Sequence, residues 1–176
     1  DDVILGFDLN EKYCQISFYD ETKEEPETLE TEADNYQIPL VLGYYKERWV
    51  YGKEAKRLAA LQEGITVTDL FEKAVRQEKV MVGSRKRDGV WLLAKFIKLT
   101  LAEYEEISFI TFSVPYTNID MSKMLKGIGH YLGIPKERVC VQDYKESFCQ
   151  YMFYQPKELW QYESALFYCD AQEIRA

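Results

Sequence analysis

The chain has 176 residues, is 47% hydrophobic and 15% aromatic, and carries a formal net charge of −8. That content excludes a disordered chain and suffices to bury a core without disulfides or a structural metal. The acidic balance disfavours nucleic acid and anionic membrane surfaces as partners, and no apolar run is long enough to cross a bilayer.

In chain order, Val3-Ile4-Leu5-Gly6-Phe7-Asp8 predicts a buried strand. Tyr13-Cys14-Gln15-Ile16-Ser17-Phe18-Tyr19 predicts its partner, with near-alternating apolar residues, and Asn10-Glu11-Lys12 is the turn between them. Residues 20–34 are acidic and predict a solvated edge with a short strand over 28–31. Ile38-Pro39-Leu40-Val41-Leu42 predicts another strand, Gly43 and Lys46-Glu47-Arg48 a turn, and Trp49-Val50-Tyr51 the returning strand.

Residues 53–61 predict a helix with Ala55, Leu58 and Ala59 on one face. Thr66-x-x-Asp69 resembles a capping box and would open a second helix carrying Leu70, Phe71, Ala74 and Val75. Val80-Met81-Val82 is a short strand. Residues 83–89 predict a loop, so the basic run Arg85-Lys86-Arg87 is expected to be solvated. The longest helix is predicted over residues 90–104, where Leu93, Phe96, Ile97, Thr100, Leu101 and Tyr104 form one stripe. Trp91 and Leu92 widen that stripe, which predicts burial on more than one side.

The second half alternates. Ile107-Ser108-Phe109-Ile110-Thr111-Phe112-Ser113-Val114 is a strand ended by Pro115. Asn118 caps a helix with the stripe Met121, Met124, Leu125, Ile128 and Leu132, and Gly133 closes it. His130 falls on its outer face. Arg138-Val139-Cys140-Val141 is the next strand, residues 144–154 a helix, Pro156 to Trp160 a helical turn, and Ala165-Leu166-Phe167-Tyr168-Cys169 the last strand. A strand meander joined to a βαβ series gives a mixed α/β sheet flanked by helices. The chain begins at the edge of one strand and stops just after another, as expected of a piece of a longer protein.

Cys14, Cys140, Cys149 and Cys169 contain no C-x-x-C pair, and His130 is the single histidine. Zinc ligation has little support. Reduced thiols, and with them a cytoplasmic protein, are expected.

This order of elements resembles the N-terminal lobe of the actin/Hsp70-like ATPase superfamily. Val3-Ile4-Leu5-Gly6-Phe7-Asp8-Leu9 resembles that family's first phosphate hairpin. Ile38-Pro39-Leu40-Val41 through Tyr51-Gly52-Lys53-Glu54-Ala55 resembles the "P-S-x-V … G-x-x-A" entry into its outer subdomain. Ile110-Thr111-Phe112-Ser113-Val114-Pro115 is similar to the "V-I-T-V-P" strand of Hsp70, Gln142-Asp143 sits where Hsp70 proteins have Asn-Glu, and residues 165–170 resemble the strand into the second phosphate hairpin. The chain also resembles an uncharacterised bacterial family with an Hsp70-like N-terminal half. The resemblance implies an RNase-H-like core of residues 1–35 and 90–176, an inserted outer subdomain of residues 36–89, and a second, C-terminal lobe outside these residues.

The resemblance also implies a Mg-ATP site. Asp8, Leu9, Asn10, Glu11 and Lys12 would face the phosphates, Asp8 and Asp170 would hold Mg²⁺ through water, and Asp143 and Asp170 would be the catalytic carboxylates. Two departures weaken it. Asn10-Glu11-Lys12 replaces the Gly-Thr turn that brings N–H groups to phosphate, and Asp170 is followed by Ala171-Gln172-Glu173 where glycines are required. A carboxylate such as Glu11 at about 4 Å from a phosphate oxygen costs on the order of 4 kcal/mol at an effective dielectric near 20, roughly a thousandfold in affinity. The expected function is therefore a degenerate lobe with weak or no ATP binding and a protein-binding, chaperone-like or scaffold role, its partner a protein or the second lobe. Two alternatives stay open: an active ATPase completed by the second lobe, and a sugar-kinase relative.

Overall fold

The computed structural model describes residues 3–20, 24–30, 36–144, 168–169 and 174–175. The strands β1 (Ile4–Leu9), β2 (Tyr13–Asp20) and β3 (Glu25–Thr28) form an antiparallel meander, and β4 (Ile38–Pro39) also pairs with β2. Then come β5 (Leu42–Tyr45), β6 (Arg48–Tyr51), α1 (Lys53–Ala60), β7 (Ile65–Val67), α2 (Leu70–Val75), β8 (Lys79–Val82) and β9 (Arg85–Asp88). The chain returns through α3 (Gly89–Thr100), β10 (Phe109–Val114), α4 (Ile119–Tyr131), a 3-10 turn (Lys136–Arg138) and β11 (Val139–Asp143). The last described elements are β12 (Tyr168–Cys169) and β13 (Ile174–Arg175), which pair with each other antiparallel.

The central sheet has the order β11-β10-β1-β2-β3, with β4 beside β2. Its parallel half pairs β1 with β10 and β10 with β11, the last two joined by the α4 crossover, and its other half is the meander. This is the mixed α/β sheet that the alternation in the sequence predicts. Leu5, Phe7 and Leu9 alternate inward from β1 and are buried, as are Ile110, Phe112 and Val114 from β10. Phe7 and Phe112 meet edge to face, with ring centroids 5.8 Å apart. Each such side chain contributes about 1.5–3 kcal/mol of apolar burial. The same buried cluster takes in Leu92, Leu93, Phe96 and Ile97 of α3 and Leu125 and Ile128 of α4, so α3 is buried on more than one side, as predicted.

Residues between β4 and α3 build two smaller sheets, β6-β5-β7 and β8-β9. Leu42, Val67, Leu70, Phe71 and Ala74 of this region belong to the same buried cluster as the central sheet. Gly89 explains the close approach of α3 to α2, since a Cβ there would overlap the backbone of Lys73. An aromatic ladder, Tyr44 on Trp49 and Trp49 on Trp91, links β5 and β6 to α3, and the Arg87 guanidinium stacks 4.0 Å from the Trp91 ring centroid. No described helix is long and apolar enough to cross a membrane.

Several local expectations are corrected. The strand predicted over 38–42 is two strands in different sheets: Leu40 donates its N–H to the Lys12 carbonyl, and the chain leaves the central sheet there. Gly43 lies inside β5 rather than in a turn, because its missing side chain admits Val50 and Ala55. The turn is Lys46-Glu47, with φ of 49° and 61°, the left-handed pair that a two-residue hairpin requires. Arg85-Lys86-Arg87 lies in a strand paired with β8, not in a loop. The Thr66 capping box does not form: Thr66 is in β7, and Asp69 precedes α2 with a left-handed φ of 54° and no side-chain cap. The third strand is Glu25–Thr28, earlier than predicted, and α3 ends at Thr100. Asn118 caps α4 as expected, accepting the Met121 N–H at 2.8 Å, and Gly133 follows with a φ of 86°. The predicted helix over 144–154, the turn at Trp160 and most of the strand over 165–169 lie outside the described residues.

Candidate functional site

Parallel strands bring their carboxyl ends to one edge of a sheet, where an irregular crevice is the common place for ligands in α/β folds. Here β1, β10 and β11 end together. Asp8 stands opposite Ser113, and Ser113 opposite Gln142, in one row across the three strands. Gln142 Nε2 donates to Ser113 Oγ at 3.3 Å, and the Ser113 hydroxyl donates to the Asp8 carboxylate. Asp143 is the next residue along β11, opposite Val114. Two of the three predicted carboxylates, Asp8 and Asp143, therefore reach the same end of the sheet. Asp170 lies outside the described residues.

Asp8 has an exposed side chain, but the surrounding protein removes enough of its hydration to raise its pKa above the usual carboxylate value of 3.8. The Ser113 hydrogen bond acts the other way, since it favours the ionised form. Cys14, buried on β2, has its thiol pKa pushed well above the ordinary range, first by desolvation and then by the negative charge of Asp8.

The turn after β1 is closed on itself. Asn10 Oδ1 accepts the backbone N–H groups of Lys12 and Tyr13, each at 2.7 Å. The Asn10 N–H donates to the Tyr13 carbonyl at 3.0 Å. The Asn10 and Lys12 N–H groups of the predicted phosphate turn, and that of Tyr13 beside it, are thus committed within the protein. The turn as folded does not fit a phosphate.

Leu9 contributes only its backbone: its side chain is fully buried, while its carbonyl accepts the Tyr144 hydroxyl at 2.8 Å. Lys12 is exposed. Glu11 does not simply project into the crevice. Its carboxyl lies within hydrogen-bonding reach of Glu72 on α2, and Glu72 Oε2 is shut off from solvent with no donor among the described residues. Among the described residues no three His, Cys, Asp or Glu side chains gather as a metal site. A groove of about 1000 Å³ runs along α4 between it and α2 and α3, with Trp91, Met121, Met124 and Tyr131 in its lining. None of the predicted site residues lines it.

Sequence reasoning missed Ser113, Glu72 and Tyr144 as members of this site. Ser113 carries a faint signal, a hydroxyl in an otherwise apolar strand end. Glu72 carries none, because only the packing of α2 brings it to the turn.

A family model described as "Family of unknown function (DUF5716) C-terminal" matches residues 25–176. No curated protein matches the chain.

Proposed function

We propose that this chain, which belongs to the DUF5716 C-terminal family of unknown function, is a lobe of an actin/Hsp70-like fold whose phosphate turn has closed. It would serve as a protein-binding, chaperone-like or scaffold element with weak or no Mg-ATP binding. The observation that carries the reading is the Asn10 side chain, which takes the N–H of Lys12, in the phosphate turn that the resemblance implies, and that of Tyr13 beside it. An RNase-H-like core is supported by the strand order β11-β10-β1-β2-β3, with its antiparallel meander and parallel crossover. Residues 36–89 as an inserted subdomain are supported by their own sheet β6-β5-β7. A cytoplasmic setting agrees with the free thiols of Cys14 and Cys140.

A second reading, an active ATPase completed by another lobe, is favoured by one observation: Asp8 and Asp143 end neighbouring parts of the same strand edge. Calorimetric titration of the full-length protein with Mg-ATP separates the two. The proposal expects little or no heat of binding, and a gain in the Asn10→Gly, Glu11→Thr variant, which frees the turn donors and removes a carboxylate. Tight binding by the unaltered protein would overturn the closed-turn reading in favour of the second.

A further inference from the structure

We propose that the groove along α4 is a docking surface for an amphipathic helix of a protein partner, one whose polar flanks are acidic. The groove encloses about 1000 Å³ between α2, α3 and α4. Its floor is apolar: Met121 and Ile128 are buried, and Trp91 and Met124 are half-buried. At its rim Val75 is 41% exposed and Tyr131 47% exposed. An apolar strip of this kind is stabilised by a partner that removes it from water.

Shape points to a helix. The groove follows α4 from Asn118 to Tyr131, about 20 Å at the rise of an α-helix and so the length of roughly four helical turns. The backbone groups inside α3 and α4 are hydrogen-bonded within those helices. Along them the groove offers side chains rather than a strand edge, so its occupant must satisfy its own backbone, as a helix does. The flexible thioethers of Met121 and Met124 adapt to the side chains of such a helix.

Gly127 is an independent pointer. It lies inside α4 and lines the groove, and a Cβ added there would meet nothing within 4 Å. Gly129 of the same helix has an internal reason, since the Val139 side chain fills the space of its Cβ. A glycine inside a helix weakens it relative to alanine, and no packing among the described residues accounts for Gly127. Close approach of a partner to α4 at this point does.

Charge selects the partner. The chain carries a net charge of −8, yet cations gather here. Lys79 and Lys123 line the groove. The Arg87 guanidinium lies 4.0 Å from the Trp91 ring centroid, and the Lys98 ammonium 5.0 Å from that of Tyr131. The anions of the lining are Asp88 and Asp120. Asp88 accepts the Trp91 N–H at 2.8 Å as the cap of α3, and Asp120 stands in the first turn of α4, where the helix dipole offsets its charge. Aspartates and glutamates beside an apolar stripe would complement this rim, and lysines would be repelled by it.

The inference rests on the protein-binding role proposed above and gives that role a surface. The closed turn does not line the groove, so Mg-ATP titration tests the turn and peptide binding tests the groove. The probe is a fluorescent, end-capped peptide of about 15 residues with leucines on one helical face and glutamates on the other. Two comparison peptides carry lysines for the glutamates, or a central proline. Fluorescence anisotropy at low salt should give the acidic peptide a Kd of about 10–100 μM and each comparison peptide one roughly tenfold weaker.

Gly127→Glu enters open space, so the fold is retained, as thermal unfolding checks. It and Lys123→Glu should each weaken binding of the acidic peptide about tenfold, while Lys136→Glu, exposed outside the groove, should leave it unchanged. No binding of the acidic peptide, equal binding of the lysine peptide, or binding indifferent to both groove variants would overturn the proposal. A concentration-dependent dimer in light scattering that Gly127→Glu dissolves would also overturn it, by giving the groove to a second copy of the chain.

Discussion

Ser113 stands directly opposite Asp8 across the β1–β10 pairing and donates its hydroxyl hydrogen to that carboxylate. Gln142 supports the same hydroxyl from the other side. The row sets Ser113 as the group that holds Asp8 ionised against the desolvation around it.

This fixes the pH behaviour of Asp8. Its folded pKa lies above 3.8, so its contribution to stability falls as pH rises from there through the folded value, and the deficit persists at neutral pH. Asp8→Asn is expected to unfold at a higher temperature than the wild type at pH 7, with the two converging toward pH 3.8. Ser113→Ala should move the Asp8 titration further upward, as read by carboxyl ¹³C NMR. A downward movement would show that the hydroxyl is not a donor to Asp8.

The closed turn gives a second prediction. Asn10→Ala removes the acceptor of two N–H groups, a loss comparable to that of a helix N-cap, and should destabilise the protein by about 1 kcal/mol. Urea unfolding measures the loss. Hydrogen exchange localises it, because the Lys12 and Tyr13 amides should exchange faster while those of β10 stay protected. Unchanged exchange at both amides would contradict the hydrogen bonds.

Gly89 tests how tightly α3 seats on α2. An added Cβ meets backbone atoms of Lys73 and Ala74, which cannot rotate away as a side-chain tip could. Gly89→Ala should therefore cost about 1–3 kcal/mol in urea unfolding, although alanine is the better helix former elsewhere. A stabilised variant would mean that the two helices pack less closely.

The thiols differ in reactivity for a physical reason. Cys14 is buried and its thiol is held protonated, whereas Cys140 on β11 is exposed. Mass-spectrometric mapping after a brief treatment with iodoacetamide should find Cys140 modified and Cys14 intact until the protein unfolds. The exposure of Cys140 follows from alternation along β11, which turns Cys140 to the face opposite the buried Val139.

The sequence alone determined the elements whose pattern is local and strong. Alternation in β1 and β2, the wide apolar stripe of α3, and the Asn118 and Gly133 ends of α4 are each written within a few residues, because period and capping are short-range properties. Asp8 and Asp143 were candidates only through the resemblance to the actin/Hsp70-like family, whose carboxylates they match in position. Tertiary structure decided what depends on contacts between distant segments. It split residues 38–42 between two sheets through Leu40 and Lys12, paired the basic run 85–87 with β8, set Ser113 and Gln142 beside Asp8, and brought Glu72 to Glu11. Strand pairing and carboxyl–carboxyl contacts carry no periodicity. They arise only when the chain has folded, and so the sequence marked Asp8 and Asp143 but not Ser113, Glu72 or Tyr144.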